Sequence, residues 1–191
     1  KNTDIFLDEF EKNKNKKIYF EGWMFRSPEG LKKYRKEIKK YFSPSPDIEN
    51  KIDKTIKEIR KNYSEIIGVH MRQGDYKNKL NGGKYYFNAL EAKDILEEYI
   101  KKYNKNISKT FFLFCSDEKV DMSVFSNLNV KQSDGKNAVE DLFLLSSTDT
   151  IIGSNSTYGA LASYFGDIPF LVFDKNEIDW NYYKDKNNYF E

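Results

Sequence analysis

Apolar residues fall along the chain in short blocks, separated by segments rich in Lys, Asn and Ser. Residues 3–12 place Ile5, Phe6 and Phe10 on one side of a short helix, and Lys17-Ile18-Tyr19-Phe20 reads as a brief strand. Pro28 stands where a helix can begin, with Ser27 as its cap. That helix is expected to reach Phe42, with Leu31, Tyr34, Ile38 and Tyr41 on its apolar face. Ser43-Pro44-Ser45-Pro46 ends it. A second helix over 47–62 carries Ile48, Ile52, Ile56 and Ile59. Beyond it the pattern becomes strand–helix alternation. Strands are expected near 66–70, 110–115, 149–153 and 169–173, and helices near 85–103, 137–147 and 156–165. Such alternation specifies a parallel sheet covered by helices, the α/β class.

Composition narrows the classes. The 191 residues suffice for one domain with an appendage, and 39% hydrophobic content can form a core despite 32% charged residues. A net charge of +2 argues against a dedicated nucleic-acid binder. The single cysteine, Cys115, lies in the apolar run Phe111-Phe112-Leu113-Phe114-Cys115 and reads as a core residue. It allows no internal disulfide, which fits a reducing, cytoplasmic compartment. One His and one Cys argue against a structural zinc site. No apolar run approaches the roughly 20 residues that span a bilayer, and no signal peptide is visible. The basic stretch with Lys32, Lys33, Arg35, Lys36, Lys39 and Lys40 reads first as a solvated helix face, with Glu29 and Glu37 interspersed. Peripheral contact with the inner face of a membrane is the alternative.

Three segments could carry chemistry. In the first, Ile66-Ile67-Gly68-Val69 leads into His70-Met71-Arg72-Gln73-Gly74-Asp75-Tyr76. Ligands of open α/β folds bind at the carboxyl ends of strands. An arginine there suits phosphate, because its planar fork makes two parallel hydrogen bonds. On this reading Arg72 clamps a diphosphate, His70 supports the loop or the leaving group, and Asp75 orients Arg72 or acts as a base. The bland alternative is a surface Arg72–Asp75 pair. The polar segment from Lys77 to Lys84 could close over a ligand. In the second, Phe114-Cys115 runs into Ser116-Asp117-Glu118. Here Ser116 or Asp117 either contacts a base or ribose or caps the next helix. In the third, Asp141 to Ser146, the run Ile151-Ile152 and Ser154-Asn155-Ser156-Thr157 read as helix, strand and the start of a last helix. The free amides of a helix N-terminus favour a phosphate there.

In this order the segments resemble the α-1,2-fucosyltransferase family of glycosyltransferases. That family shows His-x-Arg-Arg-Gly-Asp-Tyr after a strand, an acidic turn matching Ser116-Asp117, and Asp-Leu-x-Leu-Met-Ser matching Asp141 to Ser146. An Ile-Ile strand and Asn-Ser-Ser/Thr-Tyr/Phe follow, matching Asn155-Ser156-Thr157-Tyr158. Tyr19-Phe20-Glu21-Gly22-Trp23 resembles the segment before the donor domain. The resemblance implies a GT-B type enzyme with a Rossmann-like donor half, here 64–191, preceded by a helical segment over 1–63. It implies GDP-fucose as donor, a surface glycan as acceptor, inversion at the anomeric carbon, and no metal or other cofactor. Arg72 would neutralise the leaving β-phosphate. Ser156 and Thr157 would add donors, and Asp117 and Asp141 would lie near the nucleotide.

The chain departs from that pattern at Gln73, which stands where the family has a second Arg, and at Ala160-Leu161, where Trp-Trp is frequent. No carboxylate stands between Asp75 and Glu91 to serve as another base. About 63 residues precede the donor half, too few for a complete acceptor domain. A reduced enzyme, a GDP-sugar-binding module and a transferase for a different nucleotide sugar therefore stand as alternatives. The oligomeric state is not legible.

Overall fold

The computed structural model describes residues 11–17, 28–78, 83–134, 137–176, 178 and 180. Most of the helix expected over 3–12, the strand at 17–20, Ser27 and the segment Tyr19 to Trp23 lie outside the described residues. The elements are α1 (Pro28–Lys33), α2 (Arg35–Tyr41), α3 (Pro46–Arg60), β1 (Glu65–Met71), α4 (Ala89–Lys102), β2 (Thr110–Ser116), β3 (Val130–Gln132), α5 (Ala138–Ser146), β4 (Thr150–Gly153), α6 (Thr157–Gly166) and β5 (Phe170–Val172). The five strands form one sheet in the order β3-β2-β1-β4-β5, and every neighbouring pair is parallel.

This order follows from the chirality of crossovers. Stepping outward from β1 to β2 and β3 with right-handed connections puts the intervening segments on one face. Stepping back past β1 to β4 and β5 puts α5 and α6 on the other. The direction reverses between β1 and β4, so their carboxyl ends diverge into a crevice. Strands buried on both faces need continuous apolar runs. Glu65–Met71 and Thr110–Ser116 are such runs, buried at nearly every position. On one face Val69, Met71, Phe112 and Phe114 meet Leu96 and Tyr99 of α4. On the other, Ile66, Phe111 and Leu113 lie under Ile52 of α3 and Leu144 and Leu145 of α5. Each such side chain contributes about 1.5–3 kcal/mol by leaving water. Packing by α3 therefore continues across residue 63, where the sequence suggests a division.

Helix ends follow capping chemistry. Asn88 and Glu91 form a reciprocal capping box that starts α4 after the aromatic segment Tyr85–Phe87, four residues later than the pattern alone suggests. Asn137 caps α5 and Ser156 caps α6. The helix expected from Pro28 to Phe42 is two helices, broken at Tyr34, where φ is −103° and ψ is 22°. At the lower end of the sheet Arg60 grips Asp149 with two bonds of 2.7 and 2.6 Å, and Asp149 accepts the Ile66 amide. That fork staples the end of α3 to the beginnings of β1 and β4.

Candidate functional site

The crevice at the ends of β1 and β4 contains the first motif. His70 is paired with Gly153 across the ladder, and Arg72 follows directly after the strand. The two strands approach so closely that a Cβ on Gly153 would lie 2.2 Å from the His70 carbonyl oxygen. Glycine is required there by space, not by φ. The Arg72 amide donates to the Ser154 hydroxyl, 2.9 Å, which fixes the chain as it leaves β1.

Two carboxylates hold the Arg72 guanidinium. Nε donates to Asp75 at 2.8 Å, and Nη1 lies 3.2 Å from Asp117. Partial burial works against the charge, but the Asp75 hydrogen bond and the Asp117 carboxylate outweigh it and raise the pKa above the usual arginine value. Arg72 is thus a permanent, oriented cation. Asp75 acts on Arg72 itself, which is one of the two roles the sequence left open. Asp117 does more than contact Arg72: its other oxygen accepts the Gln73 amide at 2.7 Å, closing the turn after β1. Neither Ser116 nor Asp117 caps a helix, since the following 3-10 turn is capped by Asp121; the Ser116 hydroxyl accepts the Glu118 amide.

His70 is buried, and burial pushes its pKa down to about 4, against smaller opposing pulls from Asp117 and the Cys115 backbone. The ring is therefore neutral at pH 7. Nε2 lies 2.8 Å from the Ser156 hydroxyl. The Cys115 carbonyl approaches the ring without completing a hydrogen bond to Nδ1, which has no partner. Ser156 Oγ also accepts the Gly159 amide, 3.2 Å, in the first turn of α6.

Arg72, His70, Ser116, Asp117 and Asp141 line one cavity of about 160 Å³ together with Cys115, Asn137, Ala138 and Tyr158. Asn155, Ser156 and Thr157 are not in its lining. Ser156 meets it only through His70, Thr157 opens α6 on the surface, and Asn155 is exposed, with its carbonyl accepting the Tyr76 hydroxyl. The volume is below the roughly 300–1,000 Å³ of pockets that enclose whole ligands, and suits a diphosphate-sized group. Asp141 accepts from Ser133 at 2.6 Å, and burial raises its pKa. Burial also raises Tyr158, whose hydroxyl donates to the Ala138 carbonyl, and raises the Cys115 thiol well above its usual value. A larger cleft of about 440 Å³ between α3 and α5 shares Asp141 but has an apolar floor of Ile52, Phe111 and Leu113. It contains no Arg and none of the first motif, so the smaller cavity is the better chemical candidate.

Several of these roles escape sequence reading. Asn137 and Ser133 carry no motif that marks them, Tyr158 entered only as the last residue of the third motif with no role attached, and Cys115 read only as core. Gln73 turns away from the cavity: it is buried, and its side-chain amide donates to the Phe87 carbonyl at 2.8 Å. The position where a second arginine was expected is therefore a tether for the segment after β1 and not part of the cavity wall. Among the described residues, no group of three or more His, Cys, Asp or Glu could hold a metal ion.

A parallel sheet reversing direction at a crevice, with an oriented arginine at one strand end and a helix N-terminus beside it, defines a Rossmann-type α/β domain. The chain belongs to glycosyl transferase family 11, whose model matches residues 3–189. No curated protein matches it. Among solved structures it is similar to the NodZ alpha-1,6-fucosyltransferase soaked with GDP-fucose, with 18% identity and a TM-score of 0.53, over 94% of this chain and 64% of that one. It also matches POFUT1 in complex with GDP-fucose, with 13% identity and a TM-score of 0.47, over 69% of this chain and 45% of that one. An Arabidopsis thaliana FUT1 variant in complex with GDP matches at 14% identity and a TM-score of 0.48, over 70% of this chain and 34% of that one. The chain thus spans about half to two thirds of the length of the first two.

Proposed function

We propose that this chain binds GDP-fucose and forms the donor side of a fucosyltransferase acting on a hydroxyl of a glycan. The observation that carries this is the Arg72 guanidinium, held by Asp75 and Asp117 at the cavity where the strand order reverses. Departure of GDP places growing negative charge on the β-phosphate, and charge held in place beforehand lowers that barrier most. Arg72 supplies the cation. The Ser156 hydroxyl and the amides of the first turn of α6 are the neutral donors this reading adds. Among the described residues no hydrogen bond engages Arg72 Nη2, so one edge of the guanidinium remains for phosphate. Asp117 and Asp141 line the same cavity, and this reading assigns Asp141 to the nucleoside end and Asp117 to the support of Arg72. Inversion by direct displacement, independence of metal and a cytoplasmic location belong to this proposal.

A second reading, a GDP-sugar-binding part without transfer of its own, rests on Gln73, which stands where a second arginine is expected and turns away from the cavity. Thermal unfolding with GDP, GDP-fucose, GDP-mannose and UDP-sugars tests donor binding. A ligand at about 100 times its dissociation constant adds roughly 2.7 kcal/mol. Stabilisation by the guanine nucleotides, greatest with GDP-fucose, is expected. No response to any of them would overturn the donor assignment, and stabilisation without release of fucose to a glycan or to water would select the second reading.

A further inference from the structure

Residues 28–42 carry six cations and two carboxylates, a net +4 in a chain whose total is +2, so the rest of the molecule is net acidic at −2. The structure separates these cations into two groups. Arg35 turns inward, with Nη1 2.9 Å from Asp167, its guanidinium over the Tyr164 ring and a bond to the Tyr164 carbonyl. The Tyr164 hydroxyl donates to the Leu31 carbonyl at 2.8 Å, which fixes α1 and α2 on α6. The remaining cations turn outward. Among the described residues none of Lys32, Lys33, Lys36, Lys39 and Lys40 forms an ion pair. Single lysines elsewhere, such as Lys54, Lys109 and Lys131, also have none, while Lys51, Lys57, Lys61, Lys77, Lys105 and Lys175 do; residues 32–40 are set apart by holding five such lysines together.

The same surface exposes aromatic rings. Tyr34 is 50%, Tyr41 83% and Phe42 58% exposed, and the last two stack edge to face at 4.9 Å. These are three of the seven exposed large hydrophobic residues among the described ones; the other four, Leu90, Ile107, Val139 and Leu161, stand singly on other segments. The aromatic pair ends α2 just before Pro44 and the start of α3.

Unpaired lysines interleaved with exposed aromatic rings match the chemistry of an anionic bilayer. Ammonium groups are drawn to the negative headgroups. Tyr and Phe settle at the boundary between headgroup and acyl chain. Short basic amphipathic helices lie in that plane. We propose that α1 and α2 dock this protein on an anionic phospholipid surface, with Lys32, Lys36 and Lys40 at the headgroups and Tyr41 and Phe42 inserted as the apolar anchor. Among the described residues no helix is long and apolar enough to cross a membrane, so the contact is peripheral. It is independent of the donor reading, since none of these residues lines the cavity.

Co-sedimentation of the full chain with vesicles tests this. One set is phosphatidylcholine alone and the other equal parts phosphatidylcholine and phosphatidylglycerol. At low salt the chain is expected to partition at least tenfold more strongly onto the anionic set, with most of that preference lost at high salt. K36E/K40E should abolish the preference, Y41S/F42S should reduce binding about tenfold, and K109E, an exposed charge reversal elsewhere, should leave it nearly intact. Each variant must keep its unfolding temperature and its response to GDP, which separates failure of the patch from failure of the donor site or the fold. Equal binding to both vesicle sets would overturn the proposal, as would undiminished binding by the patch variants. A concentration-dependent oligomer that Y41S/F42S converts to monomer, with no vesicle binding, would also overturn it and assign the patch to a protein partner.

Discussion

The Nε2 of His70 lies 2.8 Å from the hydroxyl of Ser156, so a buried neutral ring at the end of β1 orients the residue that caps α6. Two strand ends and a helix N-terminus are thereby locked into one unit. The Arg72 amide bond to Ser154 adds a second link between the same strands. The cavity depends on this lock, and the consequences can be measured.

Removing the Ser156 hydroxyl should act twice. Ser156→Ala loses the cap bond to Gly159, which costs about 1 kcal/mol of stability. It also takes the hydrogen-bond partner from the buried Nε2 of His70, a ring that lines the cavity. Chemical denaturation should show a total loss of about 1–3 kcal/mol, and GDP affinity should fall by more than stability alone explains. Ser156→Thr, which keeps the hydroxyl, should restore most of both.

The depressed His70 pKa makes stability depend on pH. The unfolded ring binds a proton near the ordinary value of 6.5, and the folded ring only at about 4. Between those values the unfolded state holds more protons, so stability falls as pH drops. The full difference is on the order of 3 kcal/mol at pH 4 and vanishes above 6.5. Denaturation midpoints followed from pH 7 to pH 4 should show this decline, and His70→Gln should flatten that part of the curve.

Gly153 should tolerate no side chain. Gly153→Ala would drive a methyl group into the His70 carbonyl, parting β1 from β4 at the cavity. Overpacking of this kind costs about 1–3 kcal/mol. Thermal unfolding should show the loss, and nucleotide binding should weaken in the variant that remains folded.

Gln73 should behave as a tether. Gln73→Leu leaves the Phe87 carbonyl without its donor, at a cost of about 1–3 kcal/mol. Amide hydrogen exchange should quicken around Tyr85 to Phe87, with a smaller effect on GDP binding than any change at Arg72.

Much of this was legible in the sequence for definite reasons. β1, β2, β4 and β5 are apolar runs, and their ends fall within two residues of the expected places because such runs have few alternatives in a doubly covered sheet. β3 was not visible: it has three residues, Val130-Lys131-Gln132, at a half-covered edge where no hydrophobic period forms. The break at Tyr34 was hidden because Leu31, Tyr34 and Ile38 fit one continuous helix. In the candidate site, His70, Arg72, Asp117 and Asp141 were readable as polar residues around strand and helix ends, and the structure gathers them. Asn137, Ser133 and Tyr158 reach the cavity or its border through tertiary packing from α5, β3 and α6, which local spacing does not encode. Gln73 misled for the same reason: alternation places it beside Arg72 in sequence, yet its side chain turns inward.

The central claim is that Arg72 receives the diphosphate of a guanine nucleotide. Isothermal titration of GDP into the native chain, Arg72→Ala and Arg72→Lys tests it most directly. The account predicts saturable binding to the native chain, loss of at least tenfold in affinity for Arg72→Ala, and only partial recovery in Arg72→Lys, which lacks the planar fork. GDP binding of equal strength to a folded Arg72→Ala would contradict it.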